Sequence, residues 1–354
     1  MTHSPRTVIV LAAGEGKRMK STLPKVLHPL LGRTLVGHVL AAAAEVAAER
    51  TVVVVGHGAE RVSAHLADVA PRATPVLQAE QRGTGHAVRV ALDALPEVSG
   101  TVVVLNGDVP LLRRETLAEL LRAHEAGGAA ATVLTAEVDD PAGLGRIVRG
   151  PGGALERIVE ERDATADERA IREVNAGIYA FDGRLLGAAL SKLSNDNDQG
   201  EEYLTDVLGL LSGAGEPVAV HVAADAEETL GCNDRAELAG LRRRLRDRVN
   251  DAWMRAGVTI LDPATTWIDV TATVGRDAVI DQNTQLVGVT EVAEGARVGP
   301  DVTLVDTVVG ENATVLRAHA VQAWVGPAAS VGPYAYLRPG SRLGPKSKVG
   351  TFVE

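Results

Sequence analysis

Aliphatic residues recur at six-residue intervals through the C-terminal part of the sequence. They are Ile268, Val274, Ile280, Leu286, Val292, Val298 and Leu304, then Val309, Val315 and Val321 after one shorter step, then Val325, Val331, Leu337, Leu343 and Val349 after another. Glycine directly follows many of them, at 275, 299, 310, 326, 332, 344 and 350. This period is typical of a parallel β-helix, in which the aliphatic side chains fill the bore and small residues turn the corners. We predict irregular coils or escaping loops near Val309 and Val325.

The N-terminal part of the chain has a different pattern. Short β-branched runs alternate with segments rich in Ala and Leu up to about residue 225. The runs predict strands at 52–55, 101–105, 131–134 and 218–222, and the segments predict helices at 33–49, 84–94 and 114–126. Such alternation favours a mostly parallel sheet with helices on both faces, which binds ligands beyond the carboxyl ends of its strands.

Residues 227–257 have the period of an amphipathic helix. Leu238, Leu241, Leu245, Val249 and Ala252 share one face, whereas arginines and acidic residues fill the others. The mixed charges favour a solvated linker helix over a nucleic-acid-binding helix. A chain of 354 residues can hold two cores. We predict a domain at 1–226, a linker helix at 227–257 and a β-helix at 258–354.

The stretch from Thr7 to Lys25, TVIVLAAGEGKRMKSTLPK, is typical of a buried strand that runs into a phosphate-binding loop. Its small residues let backbone N–H groups approach an anion, and its lysines and Arg18 supply the opposing charge. The glycine spacing fits neither G-x-x-x-x-G-K-[ST] nor G-x-G-x-x-G. An ordinary strand-to-helix turn with solvated basic residues is the alternative.

Charge and composition exclude several classes of protein. A net charge of −10 argues against a general nucleic-acid or membrane-surface binder, because such surfaces need a basic excess. The single cysteine, Cys232, excludes an intrachain disulfide framework and fits a reducing compartment. The N-terminal apolar run is too short for a signal peptide, and no apolar stretch is long enough to span a bilayer. We expect a cytoplasmic protein that binds neither nucleic acid nor membranes.

Several motifs follow one another in a recognisable order. They are VLAAGEGKRMKSTLPK at 10–25, which contains the first residue of KVLH at 25–28, then QRGTGHA at 81–87, IVEERDA at 158–164, EVNAG at 173–177 and EYLTD at 202–206. With the six-residue repeat, they resemble the bacterial bifunctional N-acetylglucosamine-1-phosphate uridyltransferase/glucosamine-1-phosphate acetyltransferase family over essentially the whole chain. Lys17 and Asn106 depart from the residues common in that family, and neither departure removes a group to which the family gives a role.

The resemblance implies a Rossmann-like nucleotidyltransferase domain, a linker helix and a left-handed parallel β-helix. It implies transfer of UMP from UTP to N-acetylglucosamine-1-phosphate with Mg²⁺ as cofactor. The products would be UDP-N-acetylglucosamine, a cell-wall precursor, and pyrophosphate. It also implies a homotrimer built on the β-helix, which transfers acetyl groups from acetyl-CoA to glucosamine-1-phosphate between neighbouring subunits.

The resemblance also assigns roles to individual residues. The nucleotide would be held by Leu11, Ala12, Ala13, Gly14, Lys25, Gln78, Gly83 and Thr84. Arg18 and Lys25 would be the catalytic cations at the triphosphate and the sugar phosphate. Gly145, Glu160, Asn175 and Asn233 would bind the sugar, and Asp108 and Asn233 would bind Mg²⁺.

For the second activity, Arg338 matches an arginine that binds the sugar phosphate. The family has a lysine soon after the segment that corresponds to 352–354, and its catalytic histidine lies further on. We therefore expect a shortened chain whose last coil is open and which has lost acetyl transfer.

Simpler explanations exist for each residue taken alone. Asp108 and Asn233 could cap helices, and Lys25 and Glu160 could be solvated. Asn175 could be a strand residue whose hydrogen bonds are satisfied, Gln78 to Thr84 could form a turn into a helix, and Arg338 could be a corner residue.

Two other functions also stay open. One is a nucleotidyltransferase of the same fold for another base or sugar, such as a glucose-1-phosphate adenylyl- or thymidylyltransferase. The other is a non-catalytic nucleotide-sugar sensor, which would lack the loop cations or the acidic metal ligand.

Overall fold

The computed structural model describes residues 5–197 and 199–353, so the predicted domain ends at residues 1 and 354 lie outside it. Contacts group the chain into two units. Unit 1 comprises Met1–His28 and Thr34–Glu237, and unit 2 comprises Pro29–Arg33 and Leu238–Glu354. The division predicted at 226 and 257 stays a prediction.

Eleven strands and eight helices precede the β-helix among the described residues. The strands are β1 (Arg6–Ala12), β2 (Pro29–Leu30), β3 (Arg33–Thr34), β4 (Arg50–Val55), β5 (Ala73–Leu77), β6 (Thr101–Asn106), β7 (Ala131–Glu137), β8 (Arg146–Arg149), β9 (Leu155–Val159), β10 (Glu173–Asp182) and β11 (Val218–Val222). The helices are α1 (Leu35–Ala44), α2 (Ala59–Val69), α3 (Thr84–Asp93), α4 (Arg114–Gly127), α5 (Ala166–Arg169), α6 (Gly183–Leu190), α7 (Asp206–Gly213) and α8 (Arg235–Arg255).

Unit 1 is built on a mostly parallel sheet, as the sequence predicts. Its strand order is β11-β7-β10-β6-β1-β4-β5, with β8 and β9 attached beside β10. Strand β10 is antiparallel to β6 and β7, whereas the other neighbours in this order are parallel. In the central strand β1, Val8 and Val10 belong to one core cluster and Ile9 to the other. Both faces of the sheet are therefore buried, which explains why β1 is apolar without alternation.

Two helices are shorter than predicted. The helix predicted at 33–49 spans only Leu35–Ala44. At its start, the Thr34 hydroxyl accepts a hydrogen bond from the Gly37 N–H and caps it. The linker helix predicted at 227–257 spans Arg235–Arg255. None of the helices in the described part of the chain is long and apolar enough to cross a membrane.

Asp234 fixes the start of α8. Its Oδ1 accepts hydrogen bonds from the N–H groups of Ala236 and Glu237, at 2.8 and 2.9 Å. Such a cap contributes about 1 kcal/mol to helix stability. The sequence suggested Asn233 as a possible cap of this helix, but Asn233 contributes only its backbone N–H, which donates to Glu237 Oε2.

Unit 2 contains a left-handed parallel β-helix, as predicted. Its strands are β12 (Thr259–Ile260), β13 (Trp267–Ile268), β14 (Thr273–Val274), β15 (Val279–Ile280), β16 (Thr284–Val287), β17 (Glu291–Val292), β18 (Arg297–Val298), β19 (Val302–Val305), β20 (Val308–Val309), β21 (Thr314–Val315), β22 (Ala318–Val321), β23 (Trp324–Val325), β24 (Ser330–Val331), β25 (Ala335–Leu337), β26 (Arg342–Leu343) and β27 (Lys348–Val349). Every third strand joins the same sheet, so three parallel sheets enclose one aliphatic core.

The bore contains the predicted residues with one exception. Val321 was predicted to lie inside, but Ala320 is fully buried there and Val321 is only partly buried. Ala320 pairs with Leu304 in the preceding coil and Leu337 in the following one. Because neighbouring residues in a strand point to opposite faces, only one of the two can face the bore. Val349, in the last strand β27, was also predicted to lie in the bore and is partly buried.

The coil is irregular near Val309 and Val325, as predicted, because three corners there are one residue shorter than the rest; no loop escapes from the described part of the coil. Bore residues are five positions apart from Leu304 to Val309, from Val315 to Ala320 and from Ala320 to Val325. Asp306, Arg317 and Gln322 turn these corners with φ of 47°, 41° and 47°. Left-handed residues also turn six-residue corners, such as Asp277 and Asn312 with φ of 58° and 54°, so the shorter corners differ from the others in length and not in handedness. The β20–β23 ladder continues without interruption.

Candidate functional site

The loops after β1 and β6 meet at the carboxyl edge of the sheet. Leu11 pairs with Asn106, and the Gly107 N–H donates to the Leu11 carbonyl at 2.9 Å. Because the two strands are parallel neighbours, Asp108 lies beside the loop that begins at Ala13. The candidate site is built around this junction.

The loop after β1 folds back so that Lys25 crosses it. A β-carbon at Gly16 would lie 2.7 Å from the Lys25 β-carbon, and Gly16 has a φ of 65°. Both observations require glycine at this position. Arg18 lies in the short turn Lys17–Met19 and is exposed, and Arg235 Nε donates to the Met19 carbonyl at 3.0 Å.

Lys25 and Asp108 form an ion pair between the two loops. The Lys25 ammonium donates to Asp108 Oδ2, and the side chains are only 16% and 18% exposed. Lys25 is therefore not a solvated surface lysine. Asp108 is not a helix cap either, because α4 begins at Arg114 after Arg113.

A first cavity of about 290 Å³ lies beside this ion pair. It is lined by the predicted nucleotide residues Leu11, Ala12, Ala13, Gly14, Lys25, Gln78, Gly83 and Thr84, together with Asp108. Gln78 is buried, and its amide donates to the Gly83 carbonyl at 3.1 Å and lies 3.0 Å from His86 Nδ1. These contacts fix the turn into α3.

A second cavity of about 250 Å³ adjoins the first. It is lined by the predicted residues Arg18, Asp108, Gly145, Glu160, Asn175 and Asn233. Leu11, Thr84, Asn106 and Asp108 line both cavities. A ligand with two linked parts can therefore reach from one cavity into the other across Asp108.

Three of the predicted sugar residues lie together in the second cavity. The Asn175 N–H donates to the Gly145 carbonyl at 2.9 Å. A β-carbon at Gly145 would lie 3.5 Å from Glu160 Oε2 and 3.6 Å from the Asn175 β-carbon. Burial raises the pKa of Glu160, and the hydrogen bond from the Thr205 hydroxyl partly offsets that effect. Glu160 is therefore not the solvated residue that its charged neighbours suggest.

Asp108 and Asn233 offer oxygen ligands to a divalent cation. The Cys232 N–H donates to the Asp108 carbonyl at 3.0 Å, which holds Asn233 at the same cavity. One carboxylate and one amide suit Mg²⁺, which takes oxygen ligands and keeps several waters. No cluster of three or more His, Cys, Asp or Glu within 5–197 and 199–353 could hold a metal by itself. Asp108 and Asn233 could therefore supply two of the oxygen ligands that Mg²⁺ takes.

Cys232 lies next to Asn233 in sequence, but its thiol is unreactive. Its side chain is fully buried, and burial raises the pKa of the thiol to about 12. A thiol with so high a pKa is not ionised near neutral pH and is a poor nucleophile.

Comparison with known proteins gives a consistent result. Residues 8–252 match the MobA-like NTP transferase domain family. The chain is 59% identical to the "Bifunctional protein GlmU" of Streptomyces avermitilis and 57% identical to that of Thermobifida fusca, over 99% of this chain and 73% of each relative. The chain belongs to the GlmU family. The GlmU of Streptomyces coelicolor is 58% identical over the same shares.

Some cavity residues of this GlmU-family chain were not singled out from the sequence. Gln81 donates from its amide to the Ala13 carbonyl at 2.7 Å, and its place in the QRGTGHA motif was the available signal. Tyr179 lines the second cavity, and no motif marked it. Arg338 lines neither cavity; it belongs to unit 2 and is exposed after β25.

Proposed function

We propose that this chain transfers UMP from UTP to N-acetylglucosamine-1-phosphate, releasing pyrophosphate and UDP-N-acetylglucosamine for cell-wall precursor synthesis. One observation carries the proposal. Every residue to which the family resemblance assigns a part in nucleotidyl transfer lines one of two adjoining cavities, and Asp108 lines both. The sequence relatives, which are GlmU proteins, support the same activity. Under this proposal the first cavity holds the nucleotide and the second holds the sugar.

The reaction needs no protein nucleophile, because the sugar phosphate attacks the α-phosphorus itself. The protein must offset the repulsion between two anions and align them. Lys25 supplies positive charge to the first cavity, beside Asp108, and Arg18 supplies it to the second. Asp108 and Asn233 would hold Mg²⁺, which when bound would supply further positive charge to the phosphates.

The side chains in the second cavity support N-acetylglucosamine-1-phosphate as the sugar substrate. Asn175 and Glu160 place an amide and a carboxylate side by side, which suits a ring that carries hydroxyl and acetamido groups. Gly145 adds no side chain to the space next to Glu160 and Asn175, since a β-carbon there would lie 3.5 and 3.6 Å from them.

A pyrophosphate-release assay tests the proposal. Turnover should occur with UTP, Mg²⁺ and N-acetylglucosamine-1-phosphate, and should be at least about tenfold slower with ATP, dTTP or glucose-1-phosphate. Preference for ATP or dTTP would favour the related adenylyl- or thymidylyltransferases. Binding without turnover would favour the nucleotide-sugar sensor.

Asp108→Ala tests the proposed metal site. Removing the carboxylate should lower Mg²⁺-dependent pyrophosphate release at least about a hundredfold, since it takes away a ligand and the partner of Lys25. Asp139→Ala is the matched control, because its side chain is 99% exposed and lies outside both cavities. Equal rates for the two variants would contradict the role of Asp108.

Three further points belong to the proposal. We propose that the chain forms a homotrimer built on the β-helix, and sedimentation equilibrium would test this. We also propose a cytoplasmic location, in which the buried Cys232 would stay reduced. We propose that Arg338 binds the sugar phosphate in acetyl transfer from acetyl-CoA. The expectation that residues 1–354 alone lack this second activity stays a prediction.

A further inference from the structure

The side-chain amide of Asn175 is held by its own strand. The Gly177 N–H donates to Asn175 Oδ1 at 2.9 Å, and Asn175 Nδ2 donates to the Tyr179 hydroxyl at 2.7 Å. The oxygen and one of the two amide hydrogens are thus used within β10. The second amide hydrogen is the group with which Asn175 can meet a ligand in the second cavity.

These contacts exist only because β10 is irregular at this point. In a regular strand, residues four apart are about 13 Å apart along the chain axis. Here the register against β7 shifts, so that Asn175 opposite Thr135 is followed by Tyr179 opposite Val133. Four residues of β10 thus face two of β7, and the bulge brings the Tyr179 hydroxyl to Asn175.

Gly177 and Asn106 fix the shape of the bulge. Gly177 has a φ of 69°, and a β-carbon there would lie 2.0 Å from Asn106 Nδ2. The backbone therefore requires glycine, and the Asn106 side chain packs directly against it. Asn106 ends β6 and lines both cavities, so the bulge is supported from the neighbouring strand.

Tyr179 is well placed to hold the amide. It is 4% exposed, and its ring stacks on Phe181 with the centroids 5.6 Å apart. Burial raises the pKa of the hydroxyl, so it stays neutral and keeps its hydrogen bond across the working pH range. The ring fixes where the hydroxyl lies, and the hydroxyl fixes how the Asn175 amide is turned.

We propose that Tyr179 is a positioning residue for sugar binding, which orients the Asn175 amide so that its free N–H points to an acceptor oxygen of the sugar. The inference rests on the proposed function, since it takes the ligand of the second cavity to be the sugar. Without the hydroxyl the amide can rotate, and the sugar must order it on binding at a cost in affinity.

Tyr179→Phe tests this inference, because it removes the hydroxyl and keeps the ring that stacks on Phe181. The affinity for UDP-N-acetylglucosamine, measured by calorimetry, should fall about tenfold. The affinity for UDP, which lacks the sugar, should stay within about twofold. Unchanged binding of UDP-N-acetylglucosamine, or an equal loss for both ligands, would overturn the inference.

A double-mutant cycle with Asn175→Ala separates positioning from direct contact. If Tyr179 acts through Asn175, Tyr179→Phe should have no further effect on UDP-N-acetylglucosamine affinity in the Asn175→Ala background. Losses that multiply would show that Tyr179 acts without Asn175 and would overturn the inference. If the wild-type chain bound no UDP-N-acetylglucosamine, the proposed function itself would fail, which is a distinct outcome.

Discussion

Glu160 and Glu161 are neighbours in sequence, but their carboxylates lie in opposite environments. Burial raises the pKa of Glu160. The hydrogen bond from Arg146, with that from the Gly143 N–H, lowers the pKa of Glu161. The folded state therefore binds the Glu160 proton more tightly than the unfolded chain does, and the Glu161 proton less tightly. Above both pKa values the charge on Glu160 costs stability and the charge on Glu161 contributes it.

Paired glutamine substitutions should therefore change stability in opposite directions. At pH 7.5 Glu160→Gln should raise the thermal midpoint and Glu161→Gln should lower it, each by no more than about 4 °C. For Glu160, the stability cost appears as pH rises from the ordinary glutamate pKa of about 4.3 through the raised value, so the gain should vanish below that window. For Glu161, the contribution is lost as pH falls through its lowered pKa. Shifts of the same sign would contradict these assignments.

Glu160→Gln should nevertheless weaken sugar binding, since a carboxylate accepts from hydroxyl groups more strongly than an amide does. Its KM for N-acetylglucosamine-1-phosphate should rise about tenfold at pH 7.5. The wild-type KM should also rise as pH falls toward the raised pKa, at higher pH than for an ordinary glutamate. A flat wild-type profile, with a sloping one for Glu160→Gln, would contradict this.

At the scale of the β-helix, the bore and the outer surface impose different demands on adjacent residues. Ala320 is fully buried between Leu304 and Leu337, whereas Val321 pairs with Val305 and is only partly buried. A larger residue at 320 must displace its neighbours, because protein interiors are close-packed. A smaller one at 321 loses only partial contacts.

Ala320→Val should therefore destabilise unit 2 by about 1–3 kcal/mol. Val321→Ala should change its stability by no more than about 1 kcal/mol. Urea unfolding followed by tryptophan fluorescence measures this, because Trp253, Trp267 and Trp324, the only tryptophans of the sequence, belong to unit 2. If Val321→Ala lowered the free energy of unfolding more than Ala320→Val does, the assignment of Ala320 rather than Val321 to the bore would be wrong.

The period of the repeat was sufficient to predict the β-helix but not every residue in its bore. The six-residue step predicts Val321 from Val315, and only the pairing of Ala320 with Leu304 shows that this step has five residues. Helix α1 was overextended because the alanines that follow Leu40 favour a helix beyond the point where it ends. Such ends are set by caps and tertiary contacts, which propensity alone does not include.

The candidate site was predictable to the extent that it lies in motifs. Lys25, Asp108 and Asn175 stand in recognisable sequence contexts, and the structure brings them to adjoining cavities. Tyr179 stands in a strand that could place its side chain on either face. Its contact with Asn175 depends on the bulge at Gly177, and no local sequence pattern predicts that bulge.

At the scale of the whole molecule, the candidate site is confined to one of the two units. Every residue that lines the first and second cavities belongs to unit 1. Unit 2 has a separate aliphatic core. Binding of the nucleotide sugar should therefore act on a limited part of the chain.

Hydrogen exchange measured by mass spectrometry should show this. UDP-N-acetylglucosamine with Mg²⁺ should slow exchange at least about fivefold in the loops at 11–18, 78–85 and 201–205. Exchange in strands of the β-helix, such as β19 and β22, should be unchanged. Protection of those strands, or none in the loops, would contradict the placing of the site.

The three shortened corners at Asp306, Arg317 and Gln322 show where this coil accepts a change in chain length. A deletion at a vertex leaves the strands on either side in register, whereas a deletion within a strand would turn its inward side chains outward. Insertions and deletions among relatives should therefore accumulate at the vertices. Grafted peptides should likewise be tolerated there before anywhere along the flat sides.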